Sequence, residues 1–590
     1  MKQFFKFMLA SMAGFILTIL IMWLLAFIFI ASMISMASNK EVVIEPNSIL
    51  YLKFDQPIPE RSPAGPFAFS SSSVFKSTNT PGLLETLDLI KRASEDSNIS
   101  GIYLDLSDIP SGLATLEEVR NALLEFKKSG KFIYAYGEMY SQKAYYLATV
   151  ADQIIVNPEG AIDFKGLSGK VMFLKGMLEK LDINAQIIRH GKFKSAIEPF
   201  ISDKMSDANK EQTITYIGAI WNHMLEGIGT ARSLDQQVLK QTADSLMLQT
   251  AEDAVELRFA DQAAYKDQVI EMLKSKVGID QSDKLKLISL NKYREHKPDK
   301  VLKRSKNKIA IIYAVGNIVS GEGNEEIIGS ERISKAIRKA RMDSSIKAIV
   351  FRINSPGGSA LASDVIWREV KLAAEAKPFV ASMGDLAASG GYYIACAADT
   401  IIANPTTLTG SIGVFGIIPD MQKFFNNKLG VTFDNVQTNE NSDFLSVTRP
   451  MTSYEEKVMT NSIERIYSTF IGHVAEGRSM QTADIDSIGQ GRVWSGIDGK
   501  RINLVDDMGG LKKSIEVAAT MANLGEDYRT VGFPEQKDPF TQLLEEVKGG
   551  DPDAMLKAKL GVFYAMYKQV EAITKMDKVQ AYMPYTIVIE

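Results

Sequence analysis

Ser389 is the first residue of this chain whose setting could support chemistry. It lies in "GDLAASGGYYIACAADTIIANP", residues 384–405, after the strand-like "FVASM" and at the start of the helical "SGGYYIACAA". Small neighbours leave room for a reacting carbonyl, and the N–H groups of a helix start face any anion held there. Serine is also a preferred helix cap, so the position reads as a nucleophile or as a cap. A second turn, "INSPGGSA", residues 353–360, places Gly357 and Gly358 after a strand. Such a pair either aims backbone N–H groups at a developing oxyanion or simply makes a tight turn.

A serine nucleophile needs a base. The four histidines are His190, His223, His296 and His473. His296 lies in a basic connector, and His223 and His473 lie in helical segments away from the glycine-rich turns. His190 remains, in "IIRHGKFKSAIEPF", residues 187–200, together with Lys192 and Lys194. Lysine serves as a general base when burial depresses its pKa, because desolvation penalises the ammonium more than the amine. Two lysines in "GKFKS" are otherwise ordinary solvated charges.

The elements that must position these groups come from a duplication. Residues 99–158, ending "YYLATVADQIIVNP", are echoed by residues 346–405, ending "YYIACAADTIIANP". Each copy alternates β-branched runs ("GIYLDL", "FIYAY", "QIIVNP"; "AIVFRI", "FVASM", "TIIANP") with helix-periodic segments ("TLEEVRNALLEFKKSG"; "ASDVIWREVKLAAEAK"), which predicts repeated β-α-β units and largely parallel sheets. Aligned on the shared Asn-Pro, Ser389 falls opposite Gln142, so the fold itself does not demand a serine there. The glycine pair is likewise broken in the first copy. "TNENSDF" in the second copy stands where the first has "RHGKFKSAI". Ser389 stands in the second copy and the lysines of "GKFKS" in the first, so a site using both must form between the copies.

The predicted boundaries are an N-terminal anchor over 1–46, a first domain over 47–290, a basic connector over 291–307, a second domain over 308–537 and a helical extension over 538–590. "PIPERSPAGPFAFSSSSVFKSTNTPG" reads as a surface loop. With 590 residues and 45% hydrophobic content, the chain exceeds one compact core. A net charge of −4 with mixed signs gives no reason to expect a nucleic-acid surface. The single cysteine, Cys396, excludes intramolecular disulfides and cysteine-based zinc sites. No charge interrupts Phe7 to Asn39, more than the ~20 residues a spanning helix needs and longer than a cleaved leader's apolar run. Lys2 and Lys6 before it predict a cytoplasmic N-terminus and exported domains.

"GKFKSAIEPF", "INSPGGSA", "MGDLAASGGYYIA", "TTLTGSIGVFG" and "GRVWSGIDGKRINLVDDMGG" occur in this order, and the chain closes on "MPYTIVIE". In these motifs the chain resembles the long, duplicated signal peptide peptidases of bacteria, the protease IV type. The resemblance implies an α/β fold of two tandem domains similar to the crotonase and Clp protease families, a β-β-α superhelix, behind a transmembrane helix. It implies a serine protease with Ser389 as nucleophile, Lys194 as base and Ser411 orienting the lysine amine. Backbone N–H groups of Gly358 and Gly390 would hold the oxyanion, and no metal or organic cofactor is implied. It further implies a homotetramer in the inner membrane, with periplasmic catalytic domains that degrade cleaved signal peptides and other unfolded apolar peptides. Two other readings are a non-catalytic membrane scaffold and a crotonase-type acyl-CoA enzyme.

Overall fold

The computed structural model describes residues 2–38, 43–63, 80–296, 305–536, 579–583 and 588–589. Of the helical extension expected over 538–590, residues 538–578, 584–587 and 590 lie outside them, and the described remainder is not helical but contains the strands Val579–Tyr582 and Val588–Ile589. Most of the Pro- and Ser-rich loop (64–79) and residues 297–304 of the connector also lie outside them. Lys2–Ser38 is one helix, and its segment Lys6–Leu25, 20 residues with mean hydropathy 2.3, is long and apolar enough to cross a membrane. At ~1.5 Å per residue this matches a hydrocarbon thickness of about 30 Å.

Among the described residues, eight strands belong to the first half: β1 (Ser48–Leu52), β2 (Ile99–Asp105), β3 (Phe132–Gly137), β4 (Gln153–Val156), β5 (Gly169–Lys170), β6 (Asn184–Arg189), β7 (Gln262–Ala263) and β8 (Leu287–Ser289). Six of them form a wholly parallel sheet in the order β7-β4-β3-β2-β1-β8.

The second half contributes β9 (Lys308–Val315), β10 (Asn317–Val319), β11 (Ile327–Gly329), β12 (Ile346–Ser355), β13 (Gly357–Ser359), β14 (Phe379–Ala388), β15 (Thr400–Ala403), β16 (Leu408–Gly410), β17 (Phe415–Asp420), β18 (Val493–Ser495), β19 (Asp507–Met508) and β20 (Arg529–Phe533). Near the C-terminus follow β21 (Val579–Tyr582) and β22 (Val588–Ile589). The large sheet runs β18-β16-β14-β12-β9-β20, and a third sheet runs β11-β10-β13-β21-β17-β6.

The duplication is visible in the backbone, since β2, β3 and β4 begin at one constant offset from β12, β14 and β15. Both faces of these sheets are covered, so the strands are continuous apolar runs. In β12, Ile349, Val350, Phe351 and Ile353 have no exposed surface. The helix Ala360–Ala374 that follows buries Ser363, Ile366, Trp367, Val370 and Ala373, a spacing of three and four residues. It starts where the Ser359 side chain accepts the Ala362 N–H.

The main sheet is not a single open doubly wound layer. β14 pairs with β15 through Val380–Ser382 and, after bending away, with β16 through Leu386–Ala388. This fork turns the chain into a second layer, as expected of a β-β-α superhelix. The first half keeps its trace in the isolated parallel bridge between Tyr140 and Ile162.

Buried charges lock the halves together. Arg352, with no exposed surface, pairs with Glu60 at 2.7 Å and Glu118 at 2.9 Å, both from the first half. The Asp385 carboxylate accepts the N–H groups of Ala114 and Thr115 and the Thr115 hydroxyl, capping the helix Leu113–Lys127 from across the interface. The basic stretch after the first sheet is not wholly solvated. Leu290–Glu295 is helical and Tyr293 is buried, with its hydroxyl on Asp96 and the Arg92 guanidinium over its ring.

Candidate active site

Ser389 sits at the sharp junction between β14 and the helix Gly390–Ala395. Its backbone adopts φ 55°, ψ −115°, a conformation non-glycine residues rarely hold and one that costs on the order of 1–3 kcal/mol. The junction is held by Ser389 N–H donating to the Gly410 carbonyl at 2.7 Å and Tyr393 N–H donating to Ser389 O at 2.8 Å. The hydroxyl makes no capping bond to the helix. It faces Lys194 instead, with Nζ 2.8 Å from Oγ.

Lys194 reaches this point from the first half. β6 pairs antiparallel with β17 of the second half, from Asn184 opposite Asp420 to Arg189 opposite Phe415. The chain then turns at Gly191 (φ 104°) and enters the 3-10 turn Ser195–Ile197. Gln212 fixes this turn by donating to Phe193 O and Ser195 Oγ, while its own carbonyl accepts Val493 N–H.

The ammonium end of Lys194 is fully buried. Nζ also lies 3.1 Å from both the hydroxyl and the carbonyl oxygen of Ser411. Among the described residues no carboxylate comes within ion-pair distance of it. Burial therefore pushes its pKa well below the ordinary lysine value, favouring the neutral amine.

The remaining expected groups surround the pair. Ser411 is buried, with its N–H bonded to Arg492 O at 2.7 Å. In "SPGG", the Ser355 hydroxyl accepts Gly357 N–H and donates to Gly316 O, which fixes the turn. A side chain at Gly358 would meet the Ile318 carbonyl at 2.1 Å, and one at Gly357 (φ 100°) would stand 2.6 Å from Gly390 N. Glycine is thus required where the "INSPGGSA" turn approaches the serine.

The other candidate bases are engaged elsewhere. His190 Nδ1 lies 2.8 Å from Glu464 and its ring stacks on Tyr467, His223 faces Glu117, and His473 faces Asp364 and stacks on Trp367. Lys192 is exposed, beside the Phe193 ring.

Two glycines that line the lysine stem escaped the reading of the sequence. A Cβ on Gly491 would lie 2.6 Å from Lys194 Cβ, and one on Gly413 would lie 3.2 Å from Lys194 Cδ. Both occur in the quoted motifs "GRVWSG" and "TGSIGVFG". In the first copy Gln142, which stands where Ser389 does in the second, bonds to its own half: it accepts the N–H groups of Lys165 and Gly166 and donates to Gly166 O.

The model of peptidase family S49 matches residues 125–280 and 371–525. "Protease 4" of Salmonella typhi is 37% identical over 75% of this chain and 72% of its own length. "Protease 4" of Haemophilus influenzae is 32% identical over 85% of this chain and 84% of its own. "Serine protease SPPA, chloroplastic" of Arabidopsis thaliana is 33% identical over 83% of this chain and 72% of its own.

Proposed function

The chain belongs to peptidase family S49 and is a serine protease, and we propose that its active site is the pair formed by Ser389 and Lys194. The observation that carries this reading is the 2.8 Å contact between a buried, uncompensated lysine of the first half and a strained serine of the second. Neutral Lys194 takes the proton of Ser389 as Oγ attacks a peptide carbonyl. The N–H groups of Gly358 and Gly390 hold the tetrahedral oxyanion. The lysine ammonium then gives its proton to the leaving amine, and water, deprotonated by the same amine, releases the acyl group. Ser411 holds a flexible unbranched stem in line, which is why a buried hydroxyl is needed beside Nζ. The expected result is that Ser389→Ala and Lys194→Ala each lose peptide hydrolysis while remaining folded; an active variant would remove that residue from the role.

The substrates we assign are signal peptides left after export and other unfolded apolar peptides. Support comes from the apolar helix Lys6–Leu25, which would hold the enzyme at a membrane where such segments emerge. Lys2 and Lys6 favour a cytoplasmic N-terminus, which leaves both halves on the periplasmic side of an inner membrane.

A closed homotetramer is supported by an unused half of the repeat. In the first half, β6 crosses to β17. The matching second-half segment, residues 432–437, has no regular secondary structure, pairs with no strand among the described residues, and exposes Phe433 and Val436. β5, which matches β17 by the repeat, pairs with β22 on one side only among the described residues. Docking that segment on the β5 edge of a second copy repeats the internal contact head to tail, and such heterologous contacts close into a ring when the rotation between copies is a whole fraction of a turn.

A further inference from the structure

The turn that carries Lys194 has no ladder of its own. Pairing of β6 with β17 ends at Arg189, the chain leaves the sheet through Gly191, and Lys194 follows beyond it. Something outside the sheet must hold the turn, because a shift of its backbone carries straight to Nζ.

Residues 490–493 do part of this through their main chain. Gln490 O accepts Phe193 N–H at 2.8 Å, and Val493 N–H donates to Gln212, which grips the same turn. Between them Gly491 N–H donates to Ile412 O and Arg492 O accepts Ser411 N–H, each at 2.7 Å. The outer two bonds thus hold the first-half turn of the base, and the inner two hold the second-half turn of Ser411. Val493 also stands opposite Gly410, whose carbonyl accepts Ser389 N–H.

The side chain of Arg492 repeats this bridge. Its guanidinium carbon lies 4.6 Å from the ring centroid of Phe193, the neighbour of Lys194 in the first half, and 4.5 Å from that of Trp494 in the second. Nη1 pairs with the half-exposed Glu211 at 3.0 Å, again in the first half. Nε is buried without a hydrogen-bond partner among the described residues, so the two rings and Glu211 carry its placement. Both ring distances fall within the ~6 Å over which a cation is drawn to an aromatic face. A guanidinium can lie flat on a ring where an ammonium cannot.

We propose that Arg492 is a positioning residue of this protease, whose guanidinium clamps the Lys194 turn through Phe193 onto the half that carries Ser389 and Ser411. The proposal rests on the assignment of Ser389 and Lys194 above. Arg492 acts through its neighbours: Phe193 fixes where the lysine stem begins, and the bond to Ser411 N–H fixes the hydroxyl where the stem ends. Loosening the clamp lengthens the 2.8 Å contact and lets water in around a stem that Gly413 and Gly491 otherwise enclose.

The test compares the full chain with Arg492→Met, which removes the guanidinium, with Arg492→Lys, which keeps the charge and loses the flat face, and with Glu211→Gln. Three quantities are read: kcat and KM on one quenched peptide, the pH dependence of fluorophosphonate labelling at Ser389, and the thermal midpoint. Arg492→Met should lower kcat by about 10-fold or more with little change in KM. Its labelling rate should rise at higher pH than in the unaltered chain, because admitted water eases the penalty on the buried ammonium. Arg492→Lys should fall between the two, and Glu211→Gln should stay close to the unaltered chain. A lowered midpoint with kcat and labelling profile unchanged would assign Arg492 to stability alone and overturn the proposal. A loss in Glu211→Gln as large as in Arg492→Met would overturn the aromatic grip in favour of the ion pair. Should Arg492→Met not fold, Arg492→Lys decides by the same readouts, and an unaltered kcat and profile in it overturn the clamp. Absence of labelling in the unaltered chain, or labelling with no ionisation below the usual lysine range, overturns the Ser389–Lys194 assignment and the proposal with it.

Discussion

Lys194 Nζ meets Ser389 Oγ at 2.8 Å within a single chain, although the two residues descend from different copies of the repeat. Chains carrying Ser389→Ala and Lys194→Ala, co-assembled in equal amounts, should therefore stay inactive. Recovery of hydrolysis in the mixture would place serine and lysine on different chains.

The buried lysine should cost stability in a pH-dependent way. Its folded pKa lies below its unfolded value, so between the two the unfolded chain binds the extra proton and stability rises with pH. Above the unfolded pKa the cost disappears, and below the folded pKa it is complete. Lys194→Met should accordingly raise the denaturation midpoint at neutral pH, with the advantage shrinking by about 1.4 kcal/mol per pH unit as pH rises through that window. Thermal or denaturant melts of both proteins across that range check the slope. An advantage independent of pH would mean that Lys194 does not change protonation on folding.

Ser411 touches the lysine amine through its hydroxyl at 3.1 Å. Ser411→Ala should lower kcat by roughly 10²-fold through misplacement of the amine, with little change in KM. Steady-state kinetics on one peptide separate the two parameters, and an unchanged kcat would remove Ser411 from positioning.

Arg352 is the buried charge on which Glu60 and Glu118 converge. Arg352→Ala leaves two carboxylates unpaired and should destabilise by about 3–5 kcal/mol. Adding Glu60→Gln and Glu118→Gln to Arg352→Met should recover much of that loss. Denaturant titration measures both, and a near-neutral Arg352→Ala would contradict the interface role.

Phe433 and Val436 are exposed on a segment whose counterpart in the first half is a paired strand. Val436→Asp with Phe433→Asp should shift detergent-solubilised protein to smaller species in sedimentation, with the fold of each chain intact. An unchanged mass would place the interface elsewhere.

Much of this site was legible because a duplication acts as an internal control. The comparison of Ser389 with Gln142, and of "RHGKFKSAI" with "TNENSDF", separated residues the fold needs from residues only one copy keeps. Strand and helix placement followed from apolar runs and helical period, since both sheet faces are covered. Burial of Lys194 was not readable, because "GKFKS" has the composition of a surface turn. It is made by Gly413 and Gly491, which are remote in sequence and small enough to let the backbone close over the stem. The convergence of Glu60 and Glu118 on Arg352 carried no local pattern at all. Nor did the placement of β21, whose short apolar sequence gives no hint that it lies in the centre of a sheet.

The most direct test is the rate at which a fluorophosphonate labels Ser389 as a function of pH, in the unaltered chain and in Lys194→Ala. The account predicts a rate that rises with pH through one ionisation well below the usual lysine range, and loss of both the rate and that step in the variant. Labelling of Lys194→Ala at the same rate, with the same pH dependence, would contradict it.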